Sequence, residues 1–178
     1  MTATILSANA QKRNAVPTTN EIFNVVTYRY ITLKHEARDA KAVEKYYTKF
    51  FKKYGYIHEL PGDGYGGPCS IIDGFYKGGY INKKKYNMFV PTKKKTASVI
   101  YMSACNDGEG DYGYLELTMT VYDKTLASKV LANIQAAGFK LSNTYSNGVK
   151  EYLNGNKQVT YGFNSENNTY DFSYSIVE

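Results

Sequence analysis

YLELTMTVYDKTLASKVLANIQAAGF, residues Tyr114 to Phe139, holds one strand, one helix and the stop that ends the helix. Leu115, Leu117, Met119 and Val121 alternate with Glu116, Thr118, Thr120 and Tyr122, the period of two expected of a strand with one buried face. Asp123 then stands where an N-cap belongs, and Leu126, Val130, Leu131, Ile134 and Ala137 recur at helical spacing. Gly138 ends that helix as a C′ residue. A strand feeding a helix that must lie back across the strand's apolar side is half of a two-layer α+β sandwich.

Working outward, Asp39 caps a similar helix with an apolar stripe of Ala40, Val43, Tyr47, Phe50, Phe51 and Tyr54, and Gly55 ends it. Both glycines precede an aromatic, Tyr56 in one case and Phe139 in the other, about 84 residues apart. Ile22–Leu33, rich in Val, Ile, Thr and Tyr, reads as a strand before the first helix. After the second helix, strands are expected at Lys140–Tyr145, Val149–Leu153, Gln158–Phe163 and Tyr170–Val177, parted by Ser146-Asn147-Gly148, Asn154-Gly155-Asn156 and Glu166-Asn167-Asn168. In the first half, Tyr80-Ile81-Asn82 matches Tyr152-Leu153-Asn154, and Thr96–Ala104 matches the closing strand Thr169–Val177.

The fold expected is therefore α+β: two βαβββ repeats forming an antiparallel sheet with two helices packed on one face. The first repeat spans residues 22–105 and carries a glycine-rich insertion at Leu60–Gly79; residues 106–113 are an acidic linker and residues 114–178 the second repeat. The two Asp-capped helices with Gly-aromatic stops, and the hairpins after them, resemble the architecture shared by β-lactamase inhibitor proteins and PepSY-like periplasmic modules. That resemblance implies the fold, and a function only by analogy; the function expected, a non-enzymatic exported binding module, rests on the absence of catalytic spacing beside an aromatic-rich surface.

Residues 1–21 read as a signal remnant or an arm. Met1–Ala10 is small and apolar, and Ser7-Ala8-Asn9-Ala10 before Gln11 fits a signal-peptidase cut. The SANAQ ending resembles the close of signal peptides in secreted Bacteroidetes proteins, which implies a periplasmic or secreted location. No stretch approaches the roughly 20 apolar residues needed to span a bilayer.

The net charge of +6 is unevenly spread: Ile22–Cys105 carries fifteen Lys/Arg against six Asp/Glu, and Asn106–Glu178 five against nine. Such a split suits head-to-tail contact between copies or an acidic partner for the first half, beside the ordinary account of a solvated lysine-rich surface. Lys83-Lys84-Lys85 and Lys93-Lys94-Lys95 flank a strand-like Tyr86–Pro91 and form two basic patches, the basis of an alternative reading as a nucleic-acid-associated, even viral, protein. Cys69 and Cys105 lack metal spacing and form at most one disulfide.

Nothing nominates catalysis, a cofactor or a metal. Gly62-Asp63-Gly64-Tyr65-Gly66-Gly67 satisfies G-x-G-x-x-G but lacks a strand before it and a helix after it. His35 and His58 flank the first helix, whose roughly 16 residues at about 1.5 Å each hold them roughly 24 Å apart, too far to share a metal or act as a pair. Asp107-Gly108-Glu109-Gly110-Asp111 opens like a calcium loop, but Tyr112 stands at the glycine position and Thr118 at the bidentate one.

With 19 tyrosines and no tryptophan, the more telling signal is the sheet face turned from the helices. Tyr114, Glu116, Thr118, Thr120 and Tyr122 belong there, joined by one register of Tyr28, Tyr30 and Tyr170–Tyr174. A rigid Tyr/Thr-rich face is the form a protein-binding or glycan-binding surface would take, although tyrosine is also simply a good strand former.

Overall fold

The structure, a computed structural model, describes residues 16–34, 40–54, 56–59, 71–77, 98–106 and 112–177. Among these the chain forms three helices, α1 (Thr19–Lys34), α2 (Ala40–Lys53) and α3 (Lys124–Ala136). Eight strands accompany them: β1 (Ile57–Glu59), β2 (Ile71–Lys77), β3 (Ser98–Asn106), β4 (Tyr112–Val121), β5 (Lys140–Thr144), β6 (Lys150–Asn154), β7 (Lys157–Asn164) and β8 (Thr169–Ile176). The strands join one antiparallel sheet in the order β1-β2-β3-β4-β8-β7-β6-β5. The architecture is α+β, as expected.

Elements of the second half form as their local signals dictate. Asp123 accepts a hydrogen bond from the Leu126 backbone N–H at 2.7 Å and caps α3. At the other end, Phe139 N donates to Ile134 O and Gly138 N to Gln135 O, with Gly138 at φ +84°. That is the paired 6→1 and 5→2 bonding of a Schellman stop, closed by the buried side chains of Ile134 and Phe139. The stop of α2 repeats it in part, for Tyr56 N reaches Phe51 O and the two rings meet edge to face at 5.9 Å. The turns also fall where expected: Gly148 N donates to Tyr145 O across the β5–β6 hairpin, and Asn168 takes a left-handed φ of 54° before β8.

The strand expected at Ile22–Leu33 is instead helix α1, and it changes the first half. Thr18 N–H donates to Glu21 Oε2 at 2.9 Å, and Glu21 N–H to Thr18 Oγ1 at 3.3 Å, a reciprocal capping box. Ile22, Phe23, Val25 and Val26 then share one side of the helix, all fully buried. Strand propensity is a weak preference that packing overrides, and here four apolar side chains at helical spacing settle the matter. The first half thus runs helix, helix and then strands, with three helices among the described residues where two were expected. Part of the expected glycine-rich insertion is also strand: Ile71–Lys77 is β2, hydrogen-bonded to β3 over its full length. The linker joins neighbours, since β3 and β4 pair with Asn106 opposite Tyr112, and the two halves share one continuous sheet.

Register divides the sheet into two faces. Leu117 stands opposite Tyr174, and Tyr174 opposite Val159, which lies opposite Tyr152. Met119 pairs with both Ile100 and Phe172. These side chains form one core with those of α1, with Phe51 of α2 and with Ala127, Val130 and Ile134 of α3. Each large side chain taken from water contributes about 1.5–3 kcal/mol, so this layer carries most of the driving force for folding. Phe23 is central: its ring stacks on Phe139 at 5.2 Å and meets Tyr174 edge to face at 5.6 Å.

Helices α1 and α2 are tied by Tyr54, whose hydroxyl donates to Glu21 Oε1. Partial burial disfavours ionisation of Glu21, but the hydrogen bonds from Tyr54 and Thr18 and the charge of Lys53 outweigh it, and its pKa falls below the usual glutamate value. The sheet edges are blunt: β1 has three residues, and β5 is exposed throughout and shifts register between Leu141 and Asn143.

Candidate functional site

Because side chains alternate along a strand, burying Leu117, Met119 and Val121 sends Glu116, Thr118 and Thr120 to the face away from the helices. Beside them on β8, Ser175 pairs with Glu116, Ser173 with Thr118 and Asp171 with Thr120. Gln158 and Thr160 of β7 extend these rows, and Glu151 of β6 stands opposite Thr160. The face is thus a lattice of hydroxyls, carboxylates and a carboxamide at strand spacing.

These groups are bonded to one another. Thr118 Oγ1 donates to Glu116 Oε1 at 2.7 Å, and Ser173 Oγ donates to the same oxygen at 3.0 Å. Thr120 Oγ1 donates to Asp171 Oδ1 at 2.7 Å. Ser175 Oγ donates to Gln158 Oε1, and Gln158 Nε2 to Glu151 Oε2 at 2.6 Å, which also receives the Tyr145 hydroxyl at 2.9 Å. Such cross-strand bonding holds the polar groups in fixed positions.

The described side chains of this face are partly buried, most deeply at one corner. Glu116, Thr118, Ser173 and Ser175 are half-buried, whereas Thr120 is only 3% exposed. The Tyr122 hydroxyl is buried without a hydrogen-bond partner among the described residues, and burial together with the nearby charge of Asp171 pushes its pKa up to about 12. Gly162, opposite Asp171, leaves room for Val149, since a Cβ there would lie 3.0 Å from Val149 Cγ2. Desolvation raises the pKa of Asp171, partly offset by the Thr120 hydrogen bond.

This raised pKa makes stability depend on pH with a definite sign. A carboxyl group that ionises less readily in the folded chain than in the unfolded one costs nothing when protonated in both states, and opposes folding increasingly as pH rises through the acid range. Asp171→Asn keeps an acceptor for Thr120 and removes that cost. Urea midpoints measured from about pH 3 to about pH 7 should show the variant gaining on the wild type as pH rises, then a constant gap. A gap independent of pH would show that Asp171 ionises alike in both states.

Of the residues expected on this face, Glu116, Thr118 and Thr120 lie there, and Tyr122 follows at the buried corner. Tyr114 lies in β4 opposite Cys105. Tyr28 and Tyr30 belong to α1, not to a strand, and the Tyr28 ring rests 4.1 Å from that of Tyr46 of α2. On β8 the outward register holds Asp171, Ser173 and Ser175, while Tyr170 and Tyr174 pack on the helix side. On β4, β7 and β8 the face is accordingly hydroxyl- and carboxylate-rich, while on β3 and β2 the register places Tyr101, opposite Thr118, and Tyr76, opposite Val99, on the same side. Its β8 partners were visible only as the alternation in Thr169–Ile176, TYDFSYSI.

Lys83, Lys84, Lys85, Lys93, Lys94 and Lys95 lie outside the described residues, as do Met1–Ala10, Cys69, His35, the glycine run Gly62–Gly67 and Asp107–Asp111. Cys105 lies in β3. No cluster of three His, Cys, Asp or Glu able to hold a metal occurs among the described residues. No helix among them is long and apolar enough to cross a membrane. Comparison with protein-family models, curated proteins and solved structures finds no match.

Proposed function

We propose that this chain is an exported, non-enzymatic binding module that engages a protein or a glycan through the sheet face opposite its helices. The observation that carries this reading is the ladder Glu116–Thr118–Ser173, continued by Thr120–Asp171 and by Ser175–Gln158–Glu151, on a face that the described helices leave uncovered. Fixed hydroxyls, carboxylates and a carboxamide at strand spacing form a planar array of acceptors and donors, suited to sugar hydroxyls or to polar side chains of a partner. Glu116, Glu151 and Asp171 on the same face oppose a phosphate backbone, which disfavours nucleic acid here.

The fold lends support by its layout. After α2 the chain enters the edge strand β1 and steps inward to β3; after α3 it enters the opposite edge strand β5 and steps inward to β8. We read these helix-plus-meander units as diverged copies around β4, in place of two complete βαβββ repeats. An arrangement of this kind leaves one broad face of the sheet free of the described helices.

A glycan array and an array of secreted proteins, probed with the wild type and with the Glu116→Ala/Thr118→Ala/Ser173→Ala triple variant, test the reading. Deleting three polar side chains at a binding surface should weaken any ligand at least about tenfold. A ligand bound equally well by the triple variant would place the binding surface elsewhere.

A further inference from the structure

On the opposite side of the molecule, a cleft of about 420 Å³ opens where α1, α2 and the sheet's end converge. Its described walls are Asn24, Thr27 and Tyr28 of α1, Tyr46 of α2, Asn156 and Lys157 at the β6–β7 turn, and Ile176 of β8. The volume falls within the roughly 300–1,000 Å³ usual for small-molecule sites. We propose that this cleft binds a sugar ring bearing one anionic group, a carboxylate or a sulfate.

Three features select that chemistry. The Tyr28 and Tyr46 rings pack on each other, 4.1 Å apart and tilted by 30°, and both line the cleft, so the part of the pair turned from their mutual contact supplies the aromatic surface for the C–H face of a pyranose. Asn24, Asn156 and Thr27 line the same cleft and offer both donors and acceptors, as ring hydroxyls require. Lys157 is the single cation among the described lining residues, and no carboxylate stands among them to neutralise it.

Lys157 is also held in place. Its ammonium lies 5.4 Å from the centre of the buried Phe23 ring, and the neighbouring Asn156 carbonyl accepts from Val177 N–H at 2.8 Å. A fixed ammonium beside neutral hydrogen-bonding groups favours a ligand with one negative charge over a neutral sugar or a polyanion. An apolar ligand would leave the carboxamides, the hydroxyl and the ammonium without partners.

The site is independent of the sheet-face proposal and is tested apart from it. Isotope-labelled protein is titrated with methyl β-D-glucuronide, with D-glucose 6-sulfate and with methyl β-D-glucoside, following amide signals by NMR. Both charged sugars should shift signals of Asn24, Asn156 and Lys157, and whichever binds tighter identifies the anion. Lys157→Met should cost the charged sugars about tenfold or more, the loss of one charged hydrogen bond, and leave the glucoside unchanged. Tyr46→Ala, at a side chain 40% exposed, should weaken all three while the melting temperature holds. Absence of shifts at Asn24 and Asn156 with both charged sugars would overturn the proposal, as would a Lys157→Met variant that folds and binds them as tightly as the wild type. The Glu116/Thr118/Ser173 triple variant should bind these sugars normally; if it fails to, the ligand belongs to the sheet face instead.

Discussion

Phe23→Ala is expected to lower the stability of the protein by about 3–5 kcal/mol, one of the larger losses available to a single core truncation. Phe23 is fully buried, stacked on Phe139 of the α3 stop and set edge to face against Tyr174 of β8. It is the side chain through which α1 locks the end of α3 to the centre of the sheet. Alanine there removes both ring contacts and leaves a cavity that three separate elements would have to collapse together to fill. Its neighbour Asn24 is exposed, and Asn24→Ala should change stability by no more than about 0.5 kcal/mol. Urea unfolding of the two variants makes the comparison, and in a chain of this size the first loss corresponds to a fall in Tm on the order of 10 °C. Equal effects at Phe23 and Asn24 would mean that α1 does not present this side to the sheet.

The second large effect should have the opposite sign. The Tyr174 hydroxyl is buried with no hydrogen-bond partner among the described residues, and burial raises its pKa, with Tyr56 adding to the effect. An unpaired buried hydroxyl keeps its desolvation cost without compensation, so Tyr174→Phe is expected to stabilise the protein by about 1–3 kcal/mol. Tyr56 supplies the contrast. Its hydroxyl is also buried but lies 2.6 Å from Ser98 Oγ, and Tyr56→Phe strands that serine in the core, for a loss of similar size. Two Tyr→Phe changes in one core should therefore move the unfolding midpoint in opposite directions. If Tyr174→Phe destabilised the protein as Tyr56→Phe does, its hydroxyl would have to be bonded in solution.

Where the sequence was legible, the signals were local. The alternation around Leu117, the Asp123 cap, the Gly138-Phe139 stop and the turn residues of the hairpins each act within a few positions, and the elements from β4 to β8 form where those signals place them. Helix α1 was hidden by composition, because Val, Ile, Thr and Tyr argue for strand. The capping residues Thr18 and Glu21, the cue that would have revealed it, fell in the stretch read as a signal remnant or an arm, just before the expected strand. Half of the sheet face was legible for the same local reason, since alternation alone assigns Glu116, Thr118 and Thr120 to one side. The other half was not. Asp171 and Ser173 become partners of Thr120 and Thr118 only because β8 lies beside β4, a pairing across more than 50 residues that no local pattern encodes. The cleft was wholly illegible, because Tyr28 and Tyr46 meet only once α1 is a helix.

That dependence makes α1 the pivot of the molecule, since its burial covers one face of the sheet and leaves the polar face uncovered by the described helices. The most direct test is NMR of the labelled protein: carbon secondary shifts across Thr19–Lys34, with proton contacts from the Phe23 ring. Helical shifts are expected through that segment, together with contacts from Phe23 to Phe139 and Tyr174. Strand shifts over Ile22–Leu33, with no contact between Phe23 and Tyr174, would contradict the packing of α1 on the sheet and the proposal that the opposite face binds a ligand.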